Sequence, residues 1–324
     1  MASAKLFIHI GAPKTGSTAL QRQATDARAA LLAEGLLYPA SGLRGFGHHD
    51  LAFMLDGGFP DWATPADVTL DGLIAGLRTE AATHDGDILL SSENYFLFPQ
   101  PYGLREALDA AGMTAGRETE IILYLRRQDD LAESWWNQMV KAQGFDGPLE
   151  DILATPPAFF DYEAQIAAWA DAFGEGALRI RDYDRPSGEG VSLAADFWAA
   201  VGRTDVVTAD AAAQRVNTRL SREALALQRL INAQPLPIVE KRGLHRELQA
   251  IAPPRGEGRL MTIDARRAFM AAYNAGNREI ARRHLGRDAL FAEMNANETV
   301  ESDAPDLSAA RAVELMAAAV LKRG

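Results

Sequence analysis

Gly11-Ala12-Pro13-Lys14-Thr15-Gly16-Ser17-Thr18 follows the apolar run Leu6-Phe7-Ile8-His9-Ile10 and precedes a helical pattern. A strand that feeds a helix through glycines, hydroxyls and one lysine makes a turn suited to a phosphate group. The first N–H groups of a helix have no intrahelical partner and carry partial positive charge. Gly11 and Gly16 let the backbone come close to a ligand, and Lys14, Ser17 and Thr18 add side-chain donors. The place of the lysine narrows the ligand. In the nucleoside-triphosphate P-loop, lysine directly follows the second glycine and reaches the outer phosphates. Here Ser17 holds that place and Lys14 lies two residues before Gly16, so the turn fits a phosphorylated ligand better than it fits ATP with magnesium.

Working outward, Leu20, Ala24, Ala27 and Leu31 recur three or four residues apart and predict one helix over 18–33, ending at Gly35. Residues 36–49 are rich in Gly, Pro and Ser, end in His48-His49 and read as a loop. Strands are predicted at 87–91, 120–125 and 178–181, with helical patterns such as 104–111 and 131–142 between them. This alternation predicts an α/β fold with a mostly parallel central sheet flanked by helices. From about Ser192 the pattern is helical, over 193–201, 221–231, 264–285 and 308–321, punctuated by Pro235, Pro237, Pro253 and Pro254. The expectation is a single domain over 1–324, with an α/β core over 1–200 and a mainly helical extension over 201–324.

In an open parallel sheet, ligands bind beyond the carboxyl ends of the strands. The first predicted strand ends in the Lys14 turn, the second in Ser91-Ser92-Glu93-Asn94-Tyr95-Phe96, and the third in Arg126-Arg127-Gln128-Asp129-Asp130. Glu93 can take the proton of an attacking hydroxyl where its surroundings raise its affinity for that proton. His49 competes for that role, because imidazole titrates near neutral pH without tuning. Adjacent histidines lack the spacing of a helical zinc pair and the chain has no cysteine, so no metal site is expected. Arg126, with Ser134 eight residues later, offers a planar pair of donors and a hydroxyl to a phosphate monoester. The competing reading is an ion pair from Arg126 to Asp129 or Asp130. For Trp135 and Trp136, stacking on a base competes with packing, and packing is expected for at least one.

Composition bounds the partners. At 324 residues and 48% hydrophobic content the chain can bury a large core, and its net charge of −11 disfavours nucleic acid and anionic membrane surfaces. Without cysteine there is neither a disulfide framework nor a thiolate nucleophile. The one apolar stretch near the N-terminus is too short for a signal core or a membrane span. A cytoplasmic protein without a membrane span is expected.

Pro13-Lys14-Thr15-Gly16-Ser17-Thr18 with Ala19-Leu20-Gln21 resembles the 5′-phosphosulfate loop of sulfotransferases that use 3′-phosphoadenosine 5′-phosphosulfate (PAPS). Arg126 and Ser134 resemble the 3′-phosphate site of the same enzymes, although Arg127-Gln128 stands where they usually have Asn-Pro. Glu93 falls where cytosolic sulfotransferases place a catalytic histidine, with Ser91 in place of their strand-end lysine. The same segment is similar to the Ser-Ala-Asn-Tyr-Phe of heparan N-sulfotransferases. His48-His49 lies where some carbohydrate sulfotransferases supply a catalytic glutamate. Lys241-Arg242-Gly243 is faintly similar to an Arg-Lys-Gly of the cytosolic enzymes, without the residues that follow it there. Asn217-Thr218-Arg219-Leu220-Ser221, and Tyr273 to Asn277 with Ala281-Arg282-Arg283, look like segments of bacterial sulfotransferase-like proteins.

The resemblance implies a P-loop NTPase-like fold, PAPS as donor, adenosine 3′,5′-bisphosphate (PAP) as product, and no metal. It implies transfer of a sulfuryl group to a hydroxyl or amine and, on the heparan-type similarity, a saccharide acceptor. Pro13, Lys14, Thr15, Gly16, Ser17 and Thr18 would hold the 5′-phosphosulfate, Arg126 and Ser134 the 3′-phosphate. Lys14 and either Glu93 or His49 would be catalytic. The alternatives are a P-loop kinase-like ATP enzyme and a non-catalytic nucleotide-binding protein of the same fold.

Overall fold

Alternating apolar runs bounded by turn residues become a five-stranded sheet in the computed structural model. It describes residues 3–185, 191–205, 220–252, 258–295, 298, 300 and 307–321; Asn217, Thr218, Arg219, Pro253 and Pro254 lie outside the described residues. The chain begins β1 (Ala4–His9), α1 (Ser17–Asp26), α2 (Arg28–Ala33), β2 (Leu36–Leu37), α3 (His49–Leu55), α4 (Leu70–Ala81) and β3 (Asp87–Ser91). It continues with α5 (Asn94–Leu97), α6 (Pro101–Ala110), β4 (Arg117–Leu125), α7 (Gln128–Ala142), α8 (Leu149–Ala154), α9 (Tyr162–Phe173) and β5 (Leu178–Asp182). Then follow α10 (Leu193–Ala200), α11 (Arg222–Asn232), α12 (Ile238–Ile251), α13 (Ile263–Met270), α14 (Asn274–Ile280), a π-helical turn over Ala281–Leu285, and α15 (Ala309–Leu321).

The strand order is β2-β3-β1-β4-β5 and every pairing is parallel. The expected α/β architecture is therefore present. After β1 the chain moves to one side of the sheet for β2 and β3, and it crosses to the other side for β4 and β5. β1 thus lies at the switch point, where a parallel sheet opens a crevice at its carboxyl edge.

Two predicted helices are interrupted. The helix expected over 18–33 breaks at Ala27, which leaves helical geometry at φ −92°, ψ 7°. On either side of the break, Thr25 Oγ1 donates to Phe46 O at 3.2 Å and Arg28 Nε donates to Tyr38 O at 3.0 Å, so tertiary bonds redirect the chain. The helix expected over 264–285 is divided into α13, α14 and the π-helical turn. The loop expected over 36–49 contains β2, and its last residue begins α3.

By its contacts the chain divides into two compact units, one of residues 1–126, 161–215 and 276–291, the other of 127–160, 216–275 and 292–324. In the first, Phe7, Leu89, Ile122 and Tyr124 from one face of the sheet pack with Leu20, Ala24 and Leu31 and with Phe197, Trp198 and Val201. Burying each such large side chain contributes roughly 1.5–3 kcal/mol, which holds α1 and α10 against the strands. Side chains reinforce the face: Trp198 Nε1 donates to Gln23 Oε1 at 2.9 Å, and Tyr124 and Arg181 both bond Asp196.

In the second unit α7 is the central helix. Asp129 and Asp130 pair with Arg127, Arg259 and Arg266, and Glu298 accepts from Arg259 and Arg266. Arg266 is 1% exposed, so removal of one partner would leave a buried charge uncompensated. At the other end of α7, Arg242 Nε donates to Ala142 O at 2.6 Å, and Lys241 Nζ donates to Asn232 O at 2.6 Å.

Candidate functional site

Three consecutive features at the carboxyl edge of β1, β3 and β4 build the site. The first is the turn from β1 to α1. Gly16 is the N-cap of α1 at φ 77°, and no side chain caps the helix, nor does its first turn carry an acidic residue. Ala19 and Leu20 donate to Gly16 O, which closes the first helical turn. The positive φ favours glycine here, and a Cβ would in addition push on Leu193 Cδ2, 2.5 Å away. Lys14 holds φ 65°, a left-handed conformation that side chains rarely adopt. Thr15 Oγ1 donates to Ala12 O at 2.6 Å and braces the turn from inside. Pro13 is buried, Thr18 is exposed, and Ser17 is buried with its hydroxyl lacking any hydrogen-bond partner.

Gly11 explains how the turn closes. A Cβ there would stand 2.5 Å from Ser17 Oγ and 2.9 Å from His9 Nε2. A Cβ there would push both polar atoms away from this stretch of backbone. His9 ends β1, and its Nδ1 lies 2.8 Å from Ser91 Oγ on the neighbouring strand. Complete burial pushes the His9 imidazole down to about 3, so it is neutral at physiological pH.

The second feature is the end of β3. Ser92 N–H donates to His9 O at 3.0 Å, and the chain turns into α5 with Glu93 as its N-cap. Gln21, one turn along α1, donates from Nε2 to Glu93 Oε2 at 2.9 Å. The bond ties the phosphate-turn helix to the carboxylate. His49 reaches the same place from α3, with Nδ1 at 2.7 Å from Ser92 Oγ and 3.0 Å from Asn94 Nδ2. Gly47 permits this approach, since a Cβ there would lie 2.7 Å from His49 Nε2 and 2.9 Å from the Gln21 carboxamide carbon. The fold thus brings both candidate bases to one patch.

His48 has a different part. Its Nδ1 accepts from Ser91 N–H at 3.1 Å, its Nε2 donates to Pro39 O at 3.1 Å, and its own N–H donates to Ser91 O at 2.7 Å. Burial pushes its imidazole down to about 3. It is a neutral strap that fixes the loop to β3 and so presents His49.

The third feature is Arg126, directly after β4. Its Nη1 donates to Lys14 O at 3.3 Å, its guanidinium lies 5.6 Å from the centre of the Tyr183 ring, and its carbonyl accepts from Tyr162 Oη at 2.7 Å. The guanidinium is therefore tied to the turn that carries Lys14. Next in the chain, in the second unit, Arg127 pairs with Asp129 at 2.7 Å and with Asp130 at 3.2 Å. In the second unit, Ser134 lies buried on α7. Trp135 and Trp136 are buried in that unit too, the first against the Phe159 ring at 5.0 Å and the second donating to Gly147 O at 3.0 Å. Both are packing residues, as expected for at least one.

Sequence reasoning gave His9, Gln21, Ser92 and Asn94 no role of their own, although all four stand in stretches it singled out. For His9 a signal existed: a polar residue inside an apolar strand, next to the glycine turn. Among the described residues, no cluster of three or more His, Asp or Glu is placed to hold a metal ion, and no helix is long and apolar enough to cross a membrane.

No protein-family model matches the chain. An uncharacterized protein of Archaeoglobus fulgidus is 28% identical over 179 residues, 54% of this chain and 48% of that protein, so the chain spans about half the length of that relative. Among solved structures, a sulfotransferase from Alicyclobacillus acidocaldarius is similar with a TM-score of 0.39 and 20% identity, over 79% of this chain and 98% of that one.

Proposed function

We propose that the chain is a sulfotransferase that takes PAPS as donor and a hydroxyl or amine as acceptor, with a saccharide the first class to try. One observation carries the reading. An uncapped helix N-terminus follows a turn in which Lys14 precedes Gly16, and the Ser17 hydroxyl lies buried there with no partner. A buried donor without an acceptor fits an anion at that place. Lys14, Ser17, Thr18 and the N–H groups of the turn would hold the 5′-phosphosulfate, with Pro13, Thr15 and Gly16 shaping the backbone. Arg126 would hold the 3′-phosphate, and Ser134 keeps the role that the sequence resemblance gives it.

When bound, the donor supplies a sulfuryl group and a phosphate leaving group. The residues of the chain do the rest. Lys14 and the helix terminus place positive charge where the leaving phosphate gains negative charge. Glu93 is the favoured proton acceptor. His49 Nδ1 lies 3.0 Å from Asn94 Nδ2 and 2.7 Å from Ser92 Oγ; because an amide nitrogen only donates, this reading puts the imidazole proton on Nε2 and makes that nitrogen a donor. Glu93, held at one oxygen by Gln21, presents a carboxylate able to take the acceptor's proton.

The test is calorimetric binding of PAP, beside ADP with magnesium, to wild type and to Arg126→Ala. The reading expects metal-independent binding of PAP, weakened about tenfold or more by Arg126→Ala, the loss of a charge-assisted bond. Preference for ADP with magnesium would overturn it in favour of the kinase-like alternative.

A further inference from the structure

His9 is fully buried at the end of an apolar strand, a place where a polar side chain needs partners. Nδ1 has one in Ser91 Oγ; Nε2 has none. The ring packs against Phe197 at 5.0 Å and Tyr124 at 6.2 Å, centre to centre. Ser17 Oγ is the second buried polar atom here without a partner. Both atoms lie against the same stretch of backbone: a Cβ at Gly11 would stand 2.9 Å from Nε2 and 2.5 Å from Oγ. Gly11 stands in the turn between β1 and the uncapped N-terminus of α1.

We propose that His9 Nε2–H and the Ser17 hydroxyl are a paired floor of neutral donors for one oxygen of the oxyanion bound by the turn, which makes His9 a ligand-binding residue. The inference rests on the reading of the turn as an anion site and deepens it. The proposal assigns the Ser91 hydroxyl, 2.8 Å away, as the donor to Nδ1 and so the imidazole proton to Nε2. The opposite tautomer would aim a bare lone pair at an anion. A neutral donor adds a directed hydrogen bond without adding charge, whereas Lys14 adds charge with little direction.

The experiment uses the full chain with 15N-labelled histidine, observed by NMR during titration with inorganic pyrophosphate and, separately, with PAP. The His9 signals are identified by their loss in His9→Gln. The expected result is a neutral ring protonated at Nε2, whose Nε2–H resonance moves downfield as either anion saturates the protein. Calorimetry with PAP is expected to show a loss of about tenfold or more in His9→Phe, the worth of a hydrogen bond to a charged group. A smaller loss is expected in His9→Gln, whose amide offers a donor.

Binding with stationary His9 signals, or a ring protonated at Nδ1, would overturn the proposal and leave a buried water as the bridge between the two atoms. Pyrophosphate binding that moves His9, with no binding of PAP, would uphold the donor floor and overturn the PAPS reading. Failure of both anions to bind would overturn the two together.

Discussion

Lys14 is, among the described residues, the only one other than glycine with positive φ, at 65°. A side chain in that region costs roughly 1–2 kcal/mol relative to glycine. The arrangement is understandable if the lysine must stand inside the turn, ahead of Gly16, and no glycine can supply its charge. Two substitutions separate the strain from the charge. Lys14→Gly is expected to raise stability by up to about 1 kcal/mol, while PAP affinity falls about tenfold or more. Lys14→Met is expected to lose the affinity without gaining the stability. Urea midpoints and calorimetry read the two quantities, and a Lys14→Gly protein less stable than wild type would show that the side chain braces the turn instead. Gly11 is the complementary case: there the missing Cβ, rather than a missing φ restriction, lets His9 and Ser17 meet the backbone.

At the scale of elements, the segment between β2 and α3 is held by hydrogen bonds rather than by its own secondary structure. His48 makes three of them, to Ser91 twice and to Pro39 once. One of them, from Ser91 N–H to Nδ1, requires a neutral ring, and burial holds both His48 and His9 at about 3, against an ordinary value of 6.5. The unfolded chain therefore binds more protons than the folded one between those values. Stability is complete above about pH 6.5 and falls as pH drops toward 3, by about 1.4 kcal/mol per pH unit for each ring. Buried Glu133 and Asp182, whose carboxyls are raised by burial, act in the opposite direction. His48→Gln isolates the histidine contribution: its stability, followed by urea unfolding from pH 7 to 5, is expected to fall less steeply than that of wild type. Equal slopes would mean that His48 binds its proton as readily in the folded protein as in the unfolded chain.

The same elements show what a sequence can carry. β3 was legible because Ile88-Leu89-Leu90 is an apolar run bounded by charge and hydroxyls, and its bounds match residue for residue. β2 is two residues long, too short for any alternation to register. The break at Ala27 occurs in one of the best helix formers and follows from bonds to Phe46 and Tyr38, which no local pattern records. Lys14, Glu93 and Arg126 were legible as candidates because strand ends are where a parallel sheet binds. That His48 is a strap and His49 meets Ser92 and Asn94 was not legible, since adjacent histidines differ only in which way the backbone points them.

At the scale of the molecule, the residues assigned to the donor, apart from Ser134, lie in the sheet-bearing unit. A ligand held by its strand ends should stabilise that unit by mass action, because it binds the folded turn and not the unfolded chain. At a PAP concentration 100 times its dissociation constant the gain is about 2.7 kcal/mol. A chain of 324 residues has an unfolding entropy of roughly 0.7 kcal/mol/K, so unfolding as one body would shift Tm by about 4 °C. Were the two units to unfold separately, the shift would be larger for the sheet-bearing unit, whose unfolding entropy is smaller, and near zero for the other. Differential scanning calorimetry distinguishes these outcomes in one experiment: a single displaced transition, or two of which one moves. The donor reading requires that a transition move with PAP and stay in place with ADP and magnesium at equal concentration. A shift confined to ADP with magnesium would assign the turn to a nucleoside triphosphate despite the place of its lysine.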